Sequence, residues 1–200
     1  MEIAFSKNTI KLSRVLSLVD NFTIEFIRIL DKLGIKYVIV SGYTALLFGR
    51  ERITEDIDIL FSKEDLDRIE KLYSELSKEY WVLNAESVGS ALRILREGSG
   101  IRIAKNDSIS PNIEFKIGKN EYDDYSLKNP TNVIVNGTDH LKISPFELQI
   151  PYKLYLGSRK DIEDARFLFN IFKNHVDKEK MKFFSGKLKV MDKIKYLGEI

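Results

Sequence analysis

The 200-residue sequence contains no cysteine. Disulfides, thiolate zinc sites, iron–sulfur clusters and cysteine nucleophiles are therefore excluded. Histidine is almost as scarce: His140 and His175 are the only two. A multi-histidine metal site is nearly ruled out, and a Ser-His-Asp triad would have to use one of these two. No apolar run approaches the ~20 residues that a membrane-spanning helix needs. The opening Met-Glu-Ile-Ala-Phe-Ser-Lys lacks the basic region and long apolar stretch of a signal peptide. A soluble, cytoplasmic chain without a membrane partner is expected. Charge of one sign is also missing, with 32 Lys+Arg against 30 Asp+Glu. Overall charge thus selects no partner; only the stretch from Lys173 onward, eight lysines against four acids, is locally basic.

What is present is ordinary globular composition, 44% hydrophobic and 31% charged, enough for one domain with a substantial core. The apolar stripe of 21–33 predicts a helix ending at Gly34, and Ile35 to Val40 a buried strand. A short helix over 43–48 and a strand over 56–61 follow, and Ser62 is set to cap a helix reaching about Ser77. Strands are expected at 81–83, 91–96, 101–104, 112–117, 131–135 and 140–143, with 121–130 as polar loop and Tyr80 and Trp81 in the core. From Ser144 the pattern turns helical, with capping boxes at Ser144-Pro145-Phe146-Glu147 and at Ser158 to Asp161. The fold class expected is α/β (α+β), a mixed sheet flanked by helices. Residues 1–143 would form the core and 144–200 a helical region packed on it.

Chemistry concentrates between Tyr37 and Leu60. A buried strand runs into the Ser41-Gly42 turn and then a helix; Gly42, without a Cβ, lets a phosphate approach the backbone. Asp56-Ile57-Asp58 follows on the next strand. Alternation puts both carboxylates on one face, about 7 Å apart, where hard oxygens suit Mg²⁺ or Mn²⁺. Taken alone, D-x-D also fits a solvent-facing acidic strand. Joined to a phosphate-cradling turn, it points to a nucleoside triphosphate with its metal. On the strand 112–117, Glu114 faces the same way as Asn112 and Lys116 and is the candidate third carboxylate; a surface Glu paired with a Lys is its other reading. Asp123 and Asp124 are weaker competitors.

These residues resemble the nucleotidyltransferase fold superfamily: a Gly-Gly or Gly-Ser turn, a helix, D-x-D on the next strand and a later carboxylate. Ser41, Gly42, Asp56, Asp58 and Glu114 fall on those positions, with Ser41 where the family more often has Gly. Arg52-x-Thr54-x-Asp56-x-Asp58 is similar to the wording of the AbiEii-like branch, which includes toxin enzymes of toxin–antitoxin pairs. Lys153 and Asp161 match that branch's Lys, seven residues, Asp motif, and the resemblance spans about Lys36 to Phe169. It implies transfer of a nucleoside monophosphate from an NTP to a hydroxyl. Asp56, Asp58 and Glu114 would be the catalytic and metal-binding acids. Ser41, Gly42, Arg52, Thr54, Lys153 and Asp161 would sit around the nucleotide, with Arg50 and Arg52 over the phosphates. It further implies RNA or a protein hydroxyl as acceptor and a cognate antitoxin as partner. Two alternatives stay open: a silent nucleotide- or partner-binding module, and an aminoglycoside-type adenylyltransferase.

Overall fold

Apolar residues at every second position organise the centre of the molecule. The computed structural model describes residues 1–6, 9–51 and 56–198. In chain order its elements are β1 (Glu2–Ser6), β2 (Thr9–Ser13), α1 (Leu18–Lys32), β3 (Tyr37–Ile39), α2 (Gly42–Leu47) and β4 (Asp56–Phe61). Then come α3 (Ile69–Leu76), β5 (Tyr80–Val82), α4 (Val88–Arg96), β6 (Ile101–Lys105), β7 (Asn112–Ile117) and α5 (Glu121–Lys128). The chain continues through β8 (Thr131–Val135), β9 (Asp139–Ile143), α6 (Phe146–Leu156), α7 (Arg159–Phe172) and α8 (Lys178–Lys187). The strands form one nine-stranded sheet in the order β1-β2-β8-β9-β3-β4-β7-β6-β5. It is mixed: β4 runs parallel to β7, and both are antiparallel to their outer neighbours β3 and β6. Helices flank it, and none of them is long and apolar enough to cross a membrane.

The two central strands show why the faces divide as they do. Ile57, Ile59, Ile113 and Phe115 are fully buried, and Phe61 and Phe115 stack with centroids 4.4 Å apart. Burying each such side chain is worth about 1.5–3 kcal/mol, whereas facing two like charges across a strand pair costs under about 1 kcal/mol. The apolar face therefore decides the register, and the acids are carried to the opposite face together.

Helix α2, which follows the Ser-Gly turn, is held at both ends. Ser17 and Asp20 form the capping box of α1, and the second oxygen of the buried Asp20 accepts from Tyr43 Oη at 2.9 Å. Arg14 lies 3.3 Å from Asp20 and donates to the Leu46 and Leu47 carbonyls, the last of α2. Burial first, then the Asp20 charge, pushes the Tyr43 phenol far above its usual range, so it stays a donor.

Several expectations are corrected. Residues 91–96 are helical: Ser87 and Ser90 cap α4, and Ala91 and Leu95 bury one face of it. Residues 121–130 are mostly the helix α5, because Asn120 Oδ1 accepts from the Tyr122 and Asp123 N–H groups. After Ser62 the chain makes a 3-10 turn over Lys63–Arg68 before α3 begins. At 144–147 no capping box forms: Ser144 Oγ meets Ser126 Oγ at 3.0 Å, and Glu147 accepts from the Asp177 N–H. At Ser158–Asp161 half of the box forms: Ser158 Oγ accepts from the Asp161 N–H, while the Asp161 carboxylate accepts from the Ser158 hydroxyl. Trp81 lies 44% exposed, its indole N–H donating to the Ser108 carbonyl. The strands β1 and β2, the first largely exposed and the second burying Ile10 and Leu12, have no counterpart among the expected elements.

Candidate active site

Parallel pairing of β4 with β7 sets Asp56 opposite Asn112 and Asp58 opposite Glu114. Each pair behaves differently. Asp56, at the exposed start of its strand, accepts from Asn112 Nδ2 at 2.7 Å. Asp58 and Glu114 share the Lys116 ammonium, which lies 2.9 Å from Asp58 Oδ1 and 3.0 Å from Glu114 Oε2. Asp58 and Glu114 thus converge on one ammonium, while Asp56 is held by its register partner. Glu114 faces Asp58 across the strand pair and pairs with Lys116. Burial works against ionising Asp58. The Lys116 charge and side-chain hydrogen bonds, one from the Ser41 hydroxyl, outweigh it and keep the carboxyl below its usual range. Burial likewise opposes the Lys116 charge, and the two carboxylates outweigh it and raise its pKa.

Glycine has one close-contact role here that the sequence did not advertise. A Cβ at Gly100 would lie 2.7 Å from Glu114 Cγ, so only a bare α-carbon beside β6 leaves the glutamate its room.

The Ser41–Gly42 turn adjoins this pair, since the Val40 N–H donates to the Asp58 carbonyl. Ser41 has φ 64°, a conformation glycine adopts freely and serine at a cost. The turn is fixed from the other side by Gln149 Nε2, 3.1 Å from the Ser41 carbonyl. Helix α2 is only six residues long, so its dipole adds little and the backbone N–H groups themselves are what an anion could use.

Ser41, Asp58 and Lys116 open onto a cavity of about 320 Å³ whose other walls are α5 and α6. Asn120, Tyr122 and Asp123 line it from α5, and Gln149, Tyr152 and Lys153 from α6. Asp123 therefore belongs to a helix at the cavity, not to a loop. Lys153 is neither exposed nor mobile: it is 2% exposed, with Asp164 Oδ2 at 2.7 Å and Asp161 Oδ1 at 3.7 Å. Arg50 points away from the turn toward α7, contacting Asp164 and pairing with Glu163 at 2.7 Å. It ties α2 to the C-terminal helices instead of covering phosphates. Arg52 and Thr54 lie outside the described residues.

Two carboxylates that already share one ammonium, at 2.9 and 3.0 Å, present hard oxygens that fit a divalent ion such as Mg²⁺ or Mn²⁺. Among the described residues no group of three His, Cys, Asp or Glu side chains could hold a metal by itself. An ion bound here would complete its shell with phosphate oxygens and water, as Mg²⁺ commonly does.

Comparison with solved structures places the architecture. The antibiotic-resistance factor ANT(2'')-Ia in solution superposes with a TM-score of 0.54 at 16% identity, over 88% of this chain and 95% of that one. An antigenic nucleotidyltransferase-like protein from Paracoccidioides brasiliensis gives 0.54 at 18% identity, over 91% and 94%. ANT(2'')-Ia in complex with adenylyl-2''-tobramycin gives 0.53 at 15% identity, over 84% and 95%. The chain has a nucleotidyltransferase fold. In it the Asp58–Glu114 pair lies on the adjacent strands β4 and β7, and the Ser-Gly turn follows the neighbouring strand β3. No protein-family model and no curated protein matches the sequence.

Proposed function

We propose that the chain is a metal-dependent nucleotidyltransferase that moves a nucleoside monophosphate from an NTP to a hydroxyl and releases pyrophosphate. One observation carries this: Asp58 faces Glu114 in register, beside the Ser41–Gly42 turn and at the wall of a cavity of about 320 Å³. Asp58 and Glu114, with Asp56 one pleat along the strand, would hold Mg²⁺ or Mn²⁺. Such an ion, when bound, neutralises triphosphate charge and lowers the pKa of a bound hydroxyl. Glu114 is the group placed to take the acceptor's proton. Backbone N–H groups at Ser41 and Gly42 would orient phosphate oxygens. Lys153, braced by Asp164 and Asp161, would set a fixed positive charge in the cavity wall.

The acceptor classes are RNA, as in a toxin-like enzyme with an antitoxin partner, a protein hydroxyl, or a small molecule of the aminoglycoside kind. Lys187 pairs with Glu121 at the start of α5 and Lys193 donates to the Leu154 carbonyl of α6. Two lysines of the basic C-terminal stretch are thus held on the helices that wall the cavity. The test is to incubate the protein and Mg²⁺ with each labelled NTP against total RNA, protein extract, aminoglycosides and the protein itself. Label should enter one pool and be lost with Asp58→Ala; no transfer from any NTP to any pool overturns the proposal. A silent nucleotide-binding module is the second reading, favoured by the ammonium between Asp58 and Glu114. It would show NTP binding by calorimetry without turnover.

A further inference from the structure

Lys116 has no task in the transfer chemistry, yet its ammonium bridges the two carboxylates. Register places Asp58 directly opposite Glu114, and Lys116 follows Glu114 by two residues on the same face of β7. Facing carboxylates repel. Their charge is met by one ammonium at 2.9 and 3.0 Å, distances of charge-assisted hydrogen bonds. The group therefore sits where a cation shared by the two acids would sit.

Exposure decides whether that ammonium can leave. The side chains of Lys116, Asp58 and Glu114 are 28%, 19% and 32% exposed, so water reaches all three and separating them costs less than in a dry interior. A lysine stem is long and flexible, and Lys116 already lines the cavity beside the turn. Moving there would carry its charge toward a bound triphosphate.

We propose that Lys116 is a built-in counter-cation: its ammonium holds the Asp58 and Glu114 carboxylates together and must swing toward the cavity before a divalent cation can share them. Nucleotide binding then favours metal binding, because the triphosphate gives the displaced ammonium a new anionic partner, and the coupling is reciprocal. This rests on the nucleotidyltransferase function for the identity of the incoming cation, but its readout is metal binding itself.

The experiment titrates Mn²⁺ alone, followed by electron paramagnetic resonance of the free ion, into wild type, Lys116→Met and Lys116→Arg. Without nucleotide, Lys116→Met should bind Mn²⁺ about tenfold or more tightly than wild type, the scale of one charge-assisted hydrogen bond. Lys116→Arg should keep the weak wild-type affinity. Adding Asp58→Asn to Lys116→Met should erase the gain. Metal-free Lys116→Met should also melt below wild type and recover on adding Mn²⁺. Equal or weaker Mn²⁺ binding by a folded Lys116→Met overturns the proposal; should that variant fail to fold, Lys116→Gln is read by the same criterion. Gained Mn²⁺ affinity with no label transfer from any NTP would leave the counter-cation standing and remove the transferase. Transfer by wild type with unchanged Mn²⁺ affinity in Lys116→Met would do the reverse.

Discussion

Two charge clusters border the same cavity, and they are built oppositely. On the β4–β7 face, Lys116 bridges Asp58 and Glu114 with every partner partly open to solvent. Between α6 and α7, Lys153 and Asp164 are 2% and 0% exposed, with Arg50 closing over the aspartate. An exposed ion pair is worth about 0–1 kcal/mol, whereas deleting one partner of a buried pair costs about 3–5 kcal/mol, because the survivor is left charged in low dielectric. The first cluster can therefore exchange its cation and the second cannot. Residue type does not separate a chemical site from a structural one here, since both are lysine with two acids; desolvation does.

The two clusters should differ most in their effect on activity. Asp58→Ala should lower turnover by about a thousandfold or more, the scale of losing a preorganised charge at the reacting centre, while the melting temperature moves little. Glu114→Gln should behave alike. The reverse pattern is expected at the buried cluster. Lys153→Met should cost about 3–5 kcal/mol in urea unfolding, roughly 10 °C in melting temperature for a chain of this size. A Lys153→Met protein with wild-type stability and lost NTP affinity would make that lysine a phosphate ligand first. Gly100→Ala sharpens the contrast at smaller scale. The added methyl crowds Glu114 Cγ, so kcat should fall about tenfold or more with the fold intact by circular dichroism.

How much of this was legible follows from the residues. Ile57, Ile59, Ile113 and Phe115 alternate with polar neighbours, so strands β4 and β7 and the face bearing Asp58 and Glu114 could be read directly. The same alternation places Lys116 beside Glu114, though not its reach to Asp58, which needs the β4–β7 register. Helix α4 was misread because Ala91, Leu92, Ile94 and Leu95 form a short apolar run that periodicity alone assigns to either state. Helix α5 is so polar that only the Asn120 cap announces it. Arg50 and Lys153 read as phosphate ligands because their partners, Glu163 and Asp164, meet them only after α7 packs back on α2 and α6.

A third carboxylate, solvent-exposed, has the smallest expected effect. Asp177 caps α8, its carboxylate accepting from the Lys180 N–H at 3.1 Å. That backbone bond leads the causes that lower its pKa. A depressed carboxyl contributes stability that is complete above its unfolded value, near 3.9, and is lost as pH falls through the lower folded value. Amide exchange in the first turn of α8 should therefore accelerate only below about pH 4, and an Asp177→Ala variant should show that faster exchange at neutral pH. Because the group is solvated, the loss should stay local to α8 and leave the global melting temperature nearly unchanged. A global shift as large as that of Lys153→Met would mean that exposure does not rank these clusters.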